Sequence, residues 1–178
     1  MVVEASDRFL VAAAQAGDRH AFEALVRRHQ GAVYRVASRM LGSEVEAEEA
    51  AQEALVQAWR ALSTFRGESA FSTWLYRIVT NRCLNARAAH HPMEPLPDVL
   101  IDRDSDPAEA LAQSERLDAL VRGVLALPAE QRAALVLREL EGLSYEQIAE
   151  AVGVTLAAVK GRIHRARFGL LKASATWR

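Results

Sequence analysis

The spacing of small and apolar residues across positions 145–167 constrains the fold of this chain most. If position 145 begins a helix-turn-helix, Ala149 falls where the two helices approach closely and need a small side chain. Gly153 falls in the turn, where the backbone needs a positive φ that glycine adopts readily. Val159 then provides an apolar anchor that pins the second helix to the first. Together with the capping-box sequence 144-SYEQ-147, this pattern predicts a helix-turn-helix.

The second helix of this unit concentrates positive charge. Residues 155–167 hold five basic residues and no acid, although the net charge of the chain is only -1. At 100° per residue, one buried stripe is predicted, formed by Val159, Ile163, Ala166 and Leu170, and the basic residues flank it on both sides. A helix in the DNA major groove has a phosphate wall on each side and base edges in front, which suits this arrangement. We interpret it as a DNA-recognition helix with Thr155 as its N-cap.

The remainder of the chain is also predicted to be helical. Apolar residues make up 51 % of the sequence, aromatic residues only 6 %, and nine residues are glycine, a composition typical of all-helical proteins. Apolar residues recur at spacings of three and four, the period of amphipathic helices. The predicted fold class is therefore all-α. Before the helix-turn-helix, the pattern predicts helices over about 22–40, 45–62, 71–84, 107–127 and 128–140, the last beginning with Pro128.

A proline-rich and acidic stretch divides the chain. Four of the five prolines fall within residues 91–110, which lack helical periodicity and are interpreted as a flexible linker. The predicted organisation is two small helical domains, residues 1–90 and residues 111–178, joined by this linker. Each domain is of a size that folds independently, but with little margin.

Charge is segregated along the chain. Residues 44–53 hold five acids and no base, whereas residues 154–178 hold six Lys or Arg residues, besides His164, and no acid. Opposite potentials on different parts of one molecule indicate partners of opposite kinds. Taken alone, the acidic run is interpreted as a solvated helix face, whereas the basic helix is expected to meet DNA.

Several classes of function are disfavoured by what the sequence lacks. Its five histidines are dispersed, and no metal-ligand spacing or glycine-rich phosphate loop occurs, so neither an enzyme nor a metal site is expected. The first residues include acids where a signal peptide needs bases, and no apolar run reaches about 20 residues. We therefore expect a cytoplasmic protein without membrane insertion. The single cysteine, Cys83, is expected to be a small buried apolar group.

Two blocks of sequence carry a family resemblance. The first consists of 46-EAEEAAQEALVQAWRAL-62 and 65-FRGESAFSTWLYRIVTNRCLNAR-87, which resemble region 2 of the bacterial sigma-70 family in its extracytoplasmic-function group. The second, 127-LPAEQRAALVLRELEGLSYEQIAEAVGVTLAAVKGRIHRARFGL-170, is similar to region 4 of that group. The resemblance implies an initiation factor that needs no cofactor. Its implied partners are core RNA polymerase, through the β′ clamp helices and the β flap, and promoter DNA; an anti-sigma factor is a further partner that the resemblance leaves open.

The resemblance also implies three groups of site residues. The core-polymerase contacts are Glu49, Gln52 and Glu53, with Trp59 packing behind them. The contacts to a melted -10 promoter element, including one unstacked base, are Phe65, Arg66, Ser69, Trp74, Arg77, Asn81 and Arg82. The contacts to the duplex -35 element are Thr155, Lys160, Gly161, Arg162, His164, Arg165 and Arg167.

This chain departs from the family pattern at a few positions. Ala157, Ala158 and Gly161 stand where relatives often carry hydroxyl side chains, and Asn85 stands where an aspartate is frequent. The -35 contact is therefore expected to depend more on cations. The alternative interpretation is a stand-alone helix-turn-helix regulator whose N-terminal half senses a signal or dimerises, which predicts a palindromic site and binding without polymerase.

Overall fold

The computed structural model describes residues 6–89 and 107–175, and within these ranges the protein is helical with no strand. The prediction of an all-α fold is confirmed. Residues 91–106 of the predicted linker lie outside the described residues, and its last four residues are already helical. The helices are α1 (Asp7–Gln15), α2 (Arg19–Leu41), α3 (Glu44–Ala61), α4 (Phe71–Ala89), α5 (Pro107–Ala126), α6 (Ala129–Glu139), α7 (Tyr145–Val152) and α8 (Leu156–Ala175), with a 3₁₀ turn at Leu62–Thr64.

The boundaries of the helix-turn-helix follow the predicted capping chemistry. Ser144 accepts a hydrogen bond from the Gln147 backbone N–H at 3.2 Å, and the Gln147 side chain accepts one from the Ser144 N–H at 2.8 Å. Gly153 ends α7 with φ +67°, a conformation that L side chains rarely adopt. Thr155 caps α8 by accepting from the Ala158 N–H at 3.2 Å. Pro128 differs from its prediction, because it is the N-cap residue of α6 rather than its first residue.

Helix α1 was not predicted from the sequence. Ser6 caps it by accepting a hydrogen bond from the Phe9 N–H, and Leu10, Val11 and Ala14 are buried against the rest of the fold. A helix of nine residues is too short to be stable alone, so these tertiary contacts hold it in place.

Helices α2, α3 and α4 form the core of the N-terminal half. Ala47, Ala54 and Ala58 on α3 are completely buried, and their small side chains allow α3 to lie close to both neighbours. Cys83 on α4 is also completely buried, as predicted, and burial raises the pKa of its thiol to about 12. Unfolding therefore releases a proton from this thiol between about pH 9 and pH 12, and stability falls as pH rises through that window.

The two halves of the chain share one continuous apolar core in this structure. Helix α7 packs on α4, and α6 packs on α2 and α4. A polar contact reinforces the junction: Tyr76 donates its hydroxyl to Glu141 at 2.7 Å, and the Arg35 guanidinium donates to both Glu141 carboxylate oxygens at 3.2 Å. Burial and the Glu141 hydrogen bond raise the pKa of Tyr76, so the phenol stays protonated and serves as a donor.

A buried arginine joins the halves at the ends of two helices. Arg132 of α6 is fully buried; its Nη1 donates to the Met40 carbonyl at 2.5 Å, and its Nη2 donates to the carbonyls of Leu127, at 3.0 Å, and of Leu125. Met40 and Leu125 lie in the last turns of α2 and α5, where carbonyls lack intrahelical donors and carry the negative end of the helix dipole. Burial, and secondarily Arg87, lowers the pKa of Arg132 to about 10, so it stays charged at neutral pH.

Replacing Arg132 by methionine should destabilise the protein by about 2–4 kcal/mol, because the helix-end carbonyls lose their buried donors. Urea unfolding followed by circular dichroism measures the loss. Arg60→Met on the exposed face of α3 is the matched control and should change stability by less than about 0.5 kcal/mol. A loss equally small in both variants would contradict the role given to Arg132.

Candidate nucleic-acid interface

The exposed face of α3 carries the three residues predicted to contact polymerase. Glu49, Gln52 and Glu53 are all exposed. Three apolar residues share this side of the helix and are unusually exposed for their type: Val45 (75 %), Val56 (48 %) and Trp59 (40 %). Trp59 packs behind these residues only in part. Its ring centroid lies 4.8 Å from that of Phe22, but the side chain is not fully covered.

Aromatic side chains cluster where the predicted -10 residues lie. The Phe65 ring centroid is 5.1 Å from that of Trp74 and 5.8 Å from that of Phe71. The Trp74 side chain is therefore partly buried against the core and partly exposed to solvent, at the edge of this cluster. Beside the cluster, an open pocket of about 540 Å³ is lined by residues of α1 and of positions 65–71.

The polar members of the -10 group lie on different surfaces. Arg66 is exposed in the loop, 3.9 Å from Glu68, and Ser69 lines the pocket. Arg77 and Asn81 are exposed on the outer side of α4. Arg82 instead forms an ion pair with Glu53 of α3, so a predicted DNA contact and a predicted polymerase contact meet directly.

Helix α8 buries the predicted stripe and exposes most of its cations. Val159, Ile163 and Ala166 are essentially fully buried, whereas Leu170, near the end of the helix, is only partly buried. Among the residues predicted to contact the -35 element, Gly161 and Arg162 are partly buried, and those that are exposed are Thr155, Lys160, His164, Arg165 and Arg167. A Cβ added at Gly161 would come within 3.2 Å of the Arg165 guanidinium, so the missing side chain leaves room for Arg165 to lie along the helix.

Two acids of α6 partly neutralise this helix, which the sequence interpretation did not foresee. Arg162 donates to Glu130 at 2.7 Å, and Arg167 donates to Glu139 at 2.6 Å. The hydrogen bond and charge of Glu139 raise the pKa of Arg167. The absence of acids within residues 155–167 therefore does not make this surface uncompensated, because acids of another helix reach two of its arginines.

The structure also contains a surface that the sequence did not indicate. Helices α5, α6 and α8 enclose an apolar groove of about 550 Å³, to which α2 of the N-terminal half contributes Arg39. Its lining includes Leu120, Val124, Leu135 and Leu170, and Arg167 stands at the same groove. Each helix alone shows an ordinary apolar stripe, so only their packing reveals a groove. In the part of the chain that the structure describes, no three His, Cys, Asp or Glu side chains gather in a metal-binding cluster, and no helix is long and apolar enough to cross a membrane.

The fold contains a helix-turn-helix whose second helix exposes cations, and a separate helix, α3, with an exposed acidic face. Comparison with known families agrees: a profile for Sigma-70 region 2 matches residues 25–91, and one for Sigma-70, region 4 matches residues 117–167. The chain is 41 % identical to ECF RNA polymerase sigma factor SigM of Mycobacterium tuberculosis H37Rv, over 95 % of this chain and 85 % of that protein. It is 37 % identical to the RNA polymerase sigma-H factor of Pseudomonas aeruginosa PAO1, over 97 % and 96 %.

A solved structure is similar over nearly the whole chain. CnrH, in a complex with the cytosolic domain of CnrY, has a TM-score of 0.74 and 28 % identity, covering 96 % of this chain and 97 % of that one. The chain therefore belongs to the extracytoplasmic-function group of the sigma-70 family. As a sigma factor it directs transcription initiation, and it binds core RNA polymerase and promoter DNA. The stand-alone regulator is not favoured.

Removing the acid that occupies Arg162 should strengthen DNA binding. In Glu130→Gln, phosphates no longer compete with a carboxylate, and we expect affinity for duplex DNA to rise about two- to fivefold, since exposed ion pairs contribute about 0.2–1 kcal/mol. Fluorescence anisotropy at low and moderate salt measures this. Glu150→Gln, the same change of charge on the exposed side of α7, should have a smaller effect. Equal gains would attribute the effect to net charge alone.

Proposed function

We propose that this sigma factor binds core polymerase through both halves and recognises two promoter elements without catalysing a reaction itself. Residues 1–90 act as region 2 on the -10 element, residues 111–178 act as region 4 on the -35 element, and residues 91–110 connect them. Its site of action is the cytoplasm, where polymerase meets promoters. One observation carries the proposal: a single chain presents an acidic, partly apolar face on α3 and a capped basic recognition helix in α8.

The exposed face of α3 supports docking on the β′ clamp helices. Val45, Glu49, Gln52, Val56 and Trp59 follow spacings of four, three, four and three, which place them along one side of the helix. This is the spacing with which one helix packs along another in a coiled coil. Apolar side chains in the stripe contribute contact area, and Glu49 contributes charge complementarity to a basic partner.

The two DNA roles are supported by different chemistry. An unstacked base needs aromatic or apolar walls, which the cluster of Phe65, Phe71 and Trp74 provides. Arg77 and Asn81, three and seven residues after Trp74 on α4, are exposed and available to the DNA backbone. Duplex recognition needs a helix with flanking cations, which α8 provides. The apolar groove between α5, α6 and α8 is of a kind that accepts an apolar helix, and we assign it to the β flap.

Run-off transcription with purified core polymerase on a library of genomic promoters tests the function. We expect promoter-dependent initiation only when this chain is present. Val56→Asp and Glu49→Arg should each lower the affinity for core polymerase at least tenfold, whereas Glu150→Arg on α7 should leave it unchanged. Footprinting of DNA by a dimer of the chain alone, without initiation, would overturn the proposal.

The packed arrangement of the halves is too small to contact both elements at once. A compact body of about 150 residues has a radius of gyration of about 15 Å, hence a diameter of about 40 Å. Positions -10 and -35 lie about 25 base pairs apart, or about 85 Å along B-DNA at about 3.4 Å per base pair. We infer that the contacts of Arg132 and Glu141 across the junction break when promoter-bound holoenzyme forms.

Fluorescence energy transfer measures this separation. Dyes attached at Gln57→Cys on α3 and Glu150→Cys on α7, with Cys83→Ala as background, should show high transfer in the free chain and much lower transfer in promoter-bound holoenzyme. Glu141→Ala leaves Tyr76 and Arg35 without their shared partner, so it should lower transfer in the free chain as well. Transfer that stays high in an actively initiating complex would contradict the inferred separation.

A further inference from the structure

Arg167, in the fourth turn of α8, is bound by neighbouring helices. Its Nη2 donates a hydrogen bond to Oε1 of Glu139, the last residue of α6, at 2.6 Å. Both side chains line the groove between α5, α6 and α8, so the guanidinium stands on the side of α8 that faces α6. Glu139 raises the pKa of Arg167 most, and Tyr145, the first residue of α7, adds a smaller rise. This cation of the recognition helix therefore interacts with both α6 and α7.

Arg167 and Arg165 point to different sides of α8. At 100° per residue, Arg167 is about 40° from the buried Ile163, whereas Arg165 is about 160° from it. A Cβ added at Gly161 would lie 3.2 Å from Arg165 Nη1, so the Arg165 guanidinium lies over Gly161, one turn back toward the start of the helix. Arg165 thus presents its charge on the outer face, and Arg167 presents its charge beside α6.

Distance along α8 separates the same two residues. Recognition helices of this motif place their N-terminal residues at base edges, and the major groove is about 12 Å wide. At about 1.5 Å per residue, Gly161 is about 8 Å from Leu156, where α8 begins, and Arg167 is about 17 Å from it. The charge of Arg165 therefore falls within the width of the groove, and that of Arg167 falls beyond it.

A polar contact at this place controls the direction of α8. The stripe that α8 buries is apolar, and apolar packing of helices is compatible with crossing angles that differ by about 15–20°. A rotation of about 15° at Arg167 would move the start of α8, about 17 Å away, by about 4 Å. Hydrogen bonds to base edges need distances of about 2.7–3.2 Å, so such a shift breaks them. The hydrogen bond to Glu139 supplies a direction that the apolar stripe lacks.

The pair formed by Arg162 and Glu130 lies elsewhere along the helix. Arg162 is about 9 Å from the start of α8, within the width of the major groove, so DNA phosphates can compete with Glu130 for it. Removing Glu130 is therefore expected to strengthen DNA binding. Because Arg167 lies beyond the groove, no phosphate can take the place of Glu139. The two pairs should therefore respond in opposite directions when the acid is removed.

We propose that Arg167 is a positioning residue: held by Glu139, it fixes the direction in which α8 enters the major groove, and it does not itself contact DNA. The proposal rests on the function proposed above, in which α8 recognises the -35 element. It replaces the DNA contact that the family resemblance implies for Arg167, while Lys160, His164 and Arg165 keep theirs.

The test compares the affinity of holoenzyme for two fragments, a promoter recognised in run-off transcription and the same promoter with a scrambled -35 element, at several salt concentrations. The ratio of the two dissociation constants is the -35 discrimination. Arg167→Ala should lower it about five- to tenfold and leave the salt dependence of binding unchanged, because no phosphate contact is lost. Arg165→Ala is the comparison: it should lower the logarithmic salt slope by about one, or lose the preference at one base pair.

Two variants of Glu139 show whether the pair acts as a unit. Glu139→Ala should lower discrimination as much as Arg167→Ala does, whereas it would strengthen binding if it released Arg167 to a phosphate. Exchanging the charges, with Glu139→Arg and Arg167→Glu in one chain, should recover about half or more of the lost discrimination. A glutamate in place of a phosphate contact would instead weaken binding more than alanine does.

Melting temperatures and the affinity for core polymerase, measured on every variant, separate positioning from other roles. Recovery of the melting temperature but not of discrimination in the charge-exchanged chain would overturn this inference. A salt slope lowered by about one in Arg167→Ala, or stronger binding in Glu139→Ala, would also overturn it. Weaker binding of core polymerase with unchanged discrimination would assign the pair to the apolar groove, against the proposal. Absence of promoter-dependent initiation by the unaltered chain would instead overturn the function proposed above.

Discussion

The arrangement of this protein depends on a positive charge buried between the ends of two helices. Arg132 forms no ion pair with a carboxylate among the described residues. Its charge is stabilised by hydrogen bonds to backbone carbonyls at the C-terminal ends of α2 and α5, where the helix dipole is negative. Those ends belong to different halves of the chain, so one side chain of α6 determines how the halves meet. The same junction leaves no space at Gly42, where a Cβ would lie 2.8 Å from Leu125.

This junction explains which surfaces remain available for partners. Helix α7 packs on α4, and α6 packs on α2, so the faces of these helices at the junction are not available to partners. The acidic face of α3 and most cations of α8 remain exposed to solvent. The junction combines an apolar core with a polar contact at Glu141, whose side chain is 5 % exposed. An interface of this mixed kind is compatible with domains that separate when a larger partner supplies competing contacts.

Much of the fold was predictable because its signals are local. The Ser144 capping box, the left-handed Gly153 and the buried stripe through Val159 depend only on neighbouring residues, and each appears as predicted. Helix α1 was not predicted because only three of its nine residues are buried. An apolar pattern of three residues is too short to indicate a helix from the sequence alone. The ion pairs of Arg162 and Arg167 escaped it because their partners lie 32 and 28 residues away.

The sequence by itself determined the all-helical class, the helix-turn-helix and the segregation of acidic from basic surfaces, since period, caps and charge are properties of short stretches. Tertiary structure alone decided that Arg132 is buried, that Gln15 reaches the carbonyls of Leu62 and Phe65, and that three helices enclose an apolar groove. In sequence, Arg132 and Gln15 look like any polar residues on a helix. Their roles arise from backbone groups distant in the chain, and those groups become neighbours only when the helices pack.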